Sequence, residues 1–306
     1  MIRRNFLTYS LGSTLTSTLL SATPISSEKK KSIRVAHVTD IHVKPGEIPE
    51  TGMAKALNAV QALKDRAEFI INTGDSIMDA LEADKPKVQT QWRVFHNIMK
   101  NENSLATYSC IGNHDVWGWF NKSDSDKQDK VYGKQWAVDE LQLPGRYYFI
   151  ERGNWAFIIL DSTQLNPAGG YIAYLDSEQL EWFQATLSKL SNKHICIVSH
   201  IPILSICAGL FFNKTQANGD LLIQRNLMHT DFLKLKDIFS ANTNIKGCIS
   251  GHIHLQDEVN YMGVRYFCNG AISGNWWKGS FQGFAPAFAI MDFFDDGTIE
   301  RKMISY

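Results

Sequence analysis

Short apolar runs alternate along this chain with longer stretches in which apolar residues recur every three or four positions. Ile33 to Val38, Phe69 to Asn72 and Thr107 to Ile111 have the length of buried strands. Between the first two, Met53, Ala56, Leu57, Val60 and Leu63 repeat at helical spacing. Between the second and third, Val88, Trp92, Phe95 and Met99 do the same, within a helix predicted over about Lys87 to Lys100. This β-α-β-α-β alternation predicts a parallel sheet with right-handed crossovers.

The second half is richer in strands. After a polar stretch, Asn121 to Lys130, which reads as a solvated loop, Tyr147 to Ile150 and Trp155 to Leu160 predict a hairpin turning at Gly153-Asn154. Asp176 with Gln179 reads as a capping box for a helix striped by Leu180, Phe183, Leu187 and Leu190. His194 to Ser199 predicts a strand, and Met228, Phe232, Leu235 and Phe239 a further helix. Gly247 to Ser250, Asp257 to Tyr261, Val264 to Phe267 and Ala287 to Phe293 read as strands. A second sheet packed on the first is expected, with no internal repeat and no linker long enough to split the chain.

Five apolar runs stop at residues able to bind a metal or move a proton. Asp40-Ile41-His42 follows the first strand, Gly74-Asp75 the second and Gly112-Asn113-His114-Asp115 the third. His200, with Pro202 after it, closes Ile195 to Ser199, and Gly251-His252-Ile253-His254 closes Gly247 to Ser250. In an open α/β sheet the carboxyl ends of parallel strands converge on one crevice. Convergence would gather three carboxylates, one amide and up to five imidazoles, a set unfavourable to bury without partners.

Composition narrows the function. Of 306 residues, Lys+Arg and Asp+Glu number 31 each. No field of one sign marks a nucleic-acid track or an anionic membrane surface. No apolar run has the length of a transmembrane anchor. The five cysteines are odd in number and lack CxxC spacing; they read as small buried hydrophobes. At the N-terminus, Arg3-Arg4-Asn5-Phe6-Leu7 and the weakly apolar Leu11 to Ala22 resemble a twin-arginine export signal, the alternative being a disordered or ordinary secretory N-terminus. That resemblance implies the twin-arginine export machinery as a partner and a periplasmic or extracellular location. Residues 1–31 would then be leader and 32–306 one domain.

In this order, Asp40-x-His42, Gly74-Asp75, Gly112-Asn113-His114-Asp115, His200 and Gly251-His252-x-His254 resemble the calcineurin-like metallophosphoesterases of exported bacterial type. The resemblance covers nearly the whole chain after the leader. It implies an α/β fold of two packed mixed β-sheets flanked by helices, a four-layer sandwich. It implies a binuclear metal-dependent phosphoester hydrolase in which Asp40, His42 and His254 hold one ion. Asn113, His200 and His252 would hold the second, and Asp75 would bridge both. Two ions roughly 3.5–4 Å apart can clamp the attacking and leaving oxygens of an in-line displacement. The mixed N/O donors suit Mn, Fe, Zn or Ni better than Mg or Ca. A metal-bridging hydroxide would attack phosphorus while His114 assists the leaving group. Asp115 would either orient and charge the His114 ring or cap its loop.

The expected substrate is a small phosphorylated compound, with phosphodiesterase-like activity. A phosphomonoesterase (nucleotidase or protein phosphatase) is the alternative, and a non-catalytic metal-bearing envelope binding protein a second class. His37 reads as a hydrogen-bonded core group, and His96, His194 and His229 as surface residues. Asp161 would buttress a sheet end. Trp117, Trp119, Trp276 and Trp277 would line a crevice rim as substrate contacts, or pack loop against loop. Substrate choice is expected to lie in the loops Trp117 to Tyr132 and Leu204 to Leu222.

Overall fold

The computed structural model describes residues 30–120 and 124–306; the expected export signal, with Arg3 and Arg4, lies outside them. In chain order the first half runs β1 (Lys31–Val38), α1 (Glu47–Gln61), β2 (Phe69–Asn72), α2 (Lys85–Glu102) and β3 (Thr107–Ser109). There follow β4 (Tyr148–Arg152), β5 (Trp155–Ile159), α3 (Ser177–Lys189), β6 (His194–Val198) and α4 (Phe232–Ala241). The chain ends with β7 (Ile245–Ser250), β8 (Gln256–Tyr261), β9 (Val264–Asn269), β10 (Ala287–Phe294) and β11 (Ile299–Ser305). Shorter helices and two-stranded ribbons fill the connections.

One sheet has the order β11-β10-β1-β2-β3, with β1, β2 and β3 parallel and β10 antiparallel to β1. The other has the order β8-β9-β7-β6-β5-β4, parallel from β9 to β5 and antiparallel at both edges. Their facing sides share one apolar layer, in which Val35, Phe69 and Ile71 of the first sheet meet Phe157, Val198 and Ile249 of the second. The outer face of the first sheet carries Met53, Leu57 and Val60 of α1 and Val88, Trp92 and Phe95 of α2. That of the second carries Leu180, Phe183 and Leu187 of α3 with Leu235 and Phe239 of α4. The result is the expected four-layer α/β sandwich. Strands buried on both faces read as unbroken apolar runs, which is why they were visible in the sequence.

Several details differ from expectation. β11 was not foreseen, because Glu300, Arg301 and Lys302 interrupt its apolar residues; charges of this kind protect an edge strand from pairing with another chain. The Asp176 carboxylate caps α3 by accepting from Gln179 N at 2.9 Å, but the other half of the capping box is absent. Gln179 instead turns its amide to the backbone N–H and carbonyl of Asp161, at 2.8 and 2.9 Å. Met228 lies ahead of α4. His229 is a correction: it is buried, with Nδ1 2.9 Å from the Asp231 carboxylate. His96 is half-exposed beside Glu140, and His194 rests on Trp155.

His37 is buried and joins the sheets. Asn269 of β9 donates to its Nδ1 at 2.8 Å, so its Nε2–H is directed to Thr73 Oγ1, also at 2.8 Å. Burial holds its pKa down at about 3 and keeps the ring neutral. The five cysteines are buried and unpaired. Asp161, also buried, pairs with Lys134 and Arg146 at the end of β5. Among the described residues no helix is long and apolar enough to cross a membrane.

The sheet–sheet layer gives a stability prediction. Phe157 is fully buried and meets Phe69 and Phe293 edge-on, with ring centroids 5.5 and 4.9 Å away. Phe157→Ala should lower the free energy of unfolding by about 3–5 kcal/mol, read as a shifted midpoint in urea. A loss below about 1 kcal/mol would mean this layer is not where the sandwich is held.

Candidate metal centre

The strand ends do converge, and their loops are tied to one another through the backbone. Asp40 N donates to Gly74 O at 3.0 Å, His42 N to Asp75 O at 2.9 Å and Gly251 N to His200 O at 3.1 Å. Asp40, His42, Asp75, His252 and His254 all adopt left-handed backbone, with φ between 48° and 73°. Asp and His tolerate this region better than most residues, and strain of this kind collects at functional sites. Glycines make room: a Cβ on Gly112 would overlap Asp75, and one on Gly251 would overlap Thr39 Oγ1 and the Asp40 carboxylate.

The side chains then fall into groups. Donor atoms of Asp40, His42 and His254 lie within 4.8 Å of one another, as do those of Asp75, His200 and His252. Asp75 Oδ2 stands between them, 3.5 Å from His42 Nε2 and 3.3 Å from His200 Nε2. Asn113 Oδ1 is 3.0 Å from His200 Nε2. One Asp75 oxygen therefore faces both groups, while Oδ1 accepts from His114 N at 2.7 Å.

Backbone carbonyls orient the imidazoles. His200 Nδ1 donates to Thr73 O at 2.7 Å, His254 Nδ1 to Gly274 O at 2.5 Å and His252 Nε2 to Asn226 O at 2.8 Å. Each ring thus turns its other nitrogen inward, the arrangement that fixes a metal-binding tautomer. No sequence pattern marks these carbonyls, because any residue supplies one.

Electrostatics follow from burial. Burial raises the pKa of Asp75 and Asp40, but neighbouring histidines, His200 and His114 for Asp75 and His254 for Asp40, pull both below the usual carboxylate range. Burial lowers His200, yet the Asp75 carboxylate overrides it and holds the ring at about 9. His254 is likewise raised, with Asp40 outweighing burial. His42 is pushed well down and His252 down to about 3, mainly by burial. The two carboxylates thus favour protons on His200 and His254, and a divalent cation would compete with any such proton.

The donors fit metal ions. Asp40 Oδ2 is engaged by Thr39 Oγ1 and His252 N, at 2.7 and 2.8 Å. Its Oδ1 is buried with no hydrogen-bond partner and lies 3.4 Å from His254 Nε2. His42 Nε2 and His254 Nε2 face each other at 3.0 Å, where one proton at most can sit between them. A cation satisfies all three atoms at once, and the N/O set suits a transition ion.

The other expected site residues differ in their placement. His114 stays at the cluster: its donor atom lies within 4.8 Å of those of His42 and Asp75, its ring is edge-on to His42 at 4.8 Å and its Nδ1 is buried without a partner. Asp115 does not reach that ring. Its carboxylate accepts from Ser76 N, Ile77 N and Gly112 N at 2.8, 3.3 and 2.9 Å, so it caps the loop, which corrects its catalytic assignment. Trp276 stacks on His254 at 4.2 Å and lines the pocket. Trp117 is corrected too: it is buried against Trp136, with its indole N–H on Ala83 O. Trp119 lies beneath Lys134. Trp277 fixes the ligand loop from outside, donating to His42 O at 2.9 Å. Tyr171, Phe212 and Leu227 line the pocket, but as isolated aromatic and aliphatic residues they carried no signal in the sequence.

Residues 33–256 match the sequence model of the family described as Calcineurin-like phosphoesterase. The chain is 24% identical to a 3',5'-cyclic-nucleotide phosphodiesterase of Nostoc sp. over 288 residues, 90% of this chain and 93% of that one. It is 23% identical to a 3',5'-cyclic adenosine monophosphate phosphodiesterase of Haemophilus influenzae, over 76% of this chain and 73% of that one. Its fold is similar to that of a dimetal phosphatase from Danio rerio, with TM-score 0.60 and 12% identity, over 90% of this chain and 100% of that one.

Gly251→Ala should displace the Asp40 carboxylate and lower kcat/KM roughly 100-fold, the scale of a misplacement of about 1 Å in an active site. Metal analysis of the purified variant should show reduced occupancy. Retention of both metal and activity would show that the close approach at Gly251 is not needed.

Proposed function

Because the chain belongs to the calcineurin-like phosphoesterase family, we propose that this phosphoester hydrolase acts on small phosphodiesters at a centre of two divalent ions. The observation that carries the reading is the single Asp75 oxygen facing His42 on one side and His200 on the other. Asp40, His42 and His254 would hold one ion, and Asn113, His200 and His252 the other, with Asp75 shared. Mn, Fe, Zn or Ni suit these donors. Bound there, such ions supply positive charge for the phosphoryl oxygens and lower the pKa of a coordinated water.

The chain's own residues do the rest. Asp75 and Asp115 fix the His114 loop through backbone N–H groups, which holds the His114 ring against the pocket. From there His114 delivers a proton to the departing oxygen. Trp276, stacked on His254, closes that side to water. Among the described residues no Lys or Arg lines this pocket. Only the bound ions would then meet the phosphate charge, which suits a monoanionic diester better than a dianionic monoester. The names of the Nostoc and Haemophilus relatives support cyclic nucleotides as the first substrates to try.

Mn-loaded protein should cleave bis-p-nitrophenyl phosphate and 3',5'-cyclic AMP with higher kcat/KM than p-nitrophenyl phosphate. Asp75→Asn should lose bound metal and activity together. His114→Ala should slow cyclic AMP cleavage by about 10²–10⁴-fold, with a smaller effect on bis-p-nitrophenyl phosphate, whose leaving group departs without a proton. A preference for the monoester, or full activity in Asp75→Asn, would refute the reading.

A further inference from the structure

The pocket at the ligand cluster has a volume of about 160 Å³, room for a phosphate and little besides. The organic part of a diester must lie in adjoining space. A second cavity of about 460 Å³ meets that need. Tyr171 lines both spaces. Asn226 lines the second and, through its carbonyl, holds His252 of the first. Two other sizeable cavities share no lining residue with the metal pocket: one beside Lys44 and Gln91, the other beside Glu47 and Tyr306.

The lining of the second cavity has a chemical character. The rings of Phe120 and Tyr171 lie within 23° of parallel, with centroids 6.3 Å apart. Phe120 rests on the Gly169-Gly170 turn, where a Cβ on Gly170 would come within 3.3 Å of the ring. Asn166, Gln224, Asn226 and Arg225 add amide and guanidinium groups, so both donors and acceptors are available. Flat aromatic faces with mixed polar groups fit a planar heteroaromatic ring with a polar edge. Its volume also accommodates a sugar between that ring and the phosphate.

We infer that this cavity seats the nucleoside of the substrate and that Phe120 sets the enzyme's preference for it. The inference rests on the phosphodiesterase reading above and adds to it the place and chemistry of the organic group. Phe120 touches none of the candidate metal ligands in any ring contact or hydrogen bond found among the described residues, so its replacement separates nucleoside recognition from phosphate binding.

The test compares adenosine 5'-monophosphate with inorganic phosphate as inhibitors of bis-p-nitrophenyl phosphate cleavage by the Mn-loaded protein. Phe120→Ala should raise the Ki of the nucleotide about tenfold relative to that of phosphate, as expected for one lost stacking face. Phe120→Tyr, which keeps the ring, should restore the wild-type ratio. If the ratio is unchanged in Phe120→Ala, or if the two Ki values rise together, the inference is overturned. If the wild type cleaves no diester, that failure belongs to the activity reading. The same ratio is then taken from dissociation constants of the two ligands by calorimetry, where a tenfold change in Phe120→Ala supports the inference and an unchanged ratio overturns it.

Discussion

Two carboxylates shut away from water set the terms for everything around them. Asp40 and Asp75 are almost fully buried, and a buried ion is costly unless it is paired and hydrogen-bonded. Among the described residues no Lys or Arg lines the pocket that Asp75 borders. The partners of the two carboxylates are imidazoles, backbone N–H groups and the Thr39 hydroxyl, and one Asp40 oxygen has no hydrogen bond at all. Such a pit of oxygen and nitrogen donors is unfavourable by itself and well matched to divalent ions. The electrostatics of this group of residues therefore point to the same chemistry as the family to which the chain belongs.

Holding these groups together strains the backbone. Five residues of the cluster lie in the left-handed region, at a cost of order 1–3 kcal/mol each for residues with side chains. The fold offsets this in two ways. Hydrogen bonds between loops, from Asp40 to Gly74 and from Gly251 to His200, leave each loop little freedom. Beneath them, the apolar layer between the sheets fixes the strands from which the loops spring. Gly112 and Gly251 complete the arrangement, since any Cβ there would occupy space that the carboxylates need.

Legibility was uneven, for physical reasons. Phe69 to Asn72 could be placed to the residue because a strand buried on both faces has no polar interruptions. Ile299 to Ser305 escaped because an edge strand carries charges. His229 reads in the sequence as a surface residue, yet its pairing with Asp231 makes burial tolerable. Trp117 follows the Gly112 to Asp115 motif in the chain, yet it is Trp276, far from any ligand motif along the sequence, that lines the pocket. Tyr171 lines both the metal pocket and the neighbouring cavity and gave no warning.

Apart from β11, the order of the main strands and helices was legible in the sequence itself, and so was the list of seven candidate ligands. Both depend on local chemistry: apolar periodicity makes the elements, and polar residues at strand ends have few other reasons to recur. The roles within the site were decided only by the tertiary structure. Asp115 beside His114 could have charged the imidazole or capped the loop, and three backbone N–H groups drawn from two different loops settled it. Distance between residues remote in the chain decides such questions, and a sequence records adjacency along the backbone but not across space.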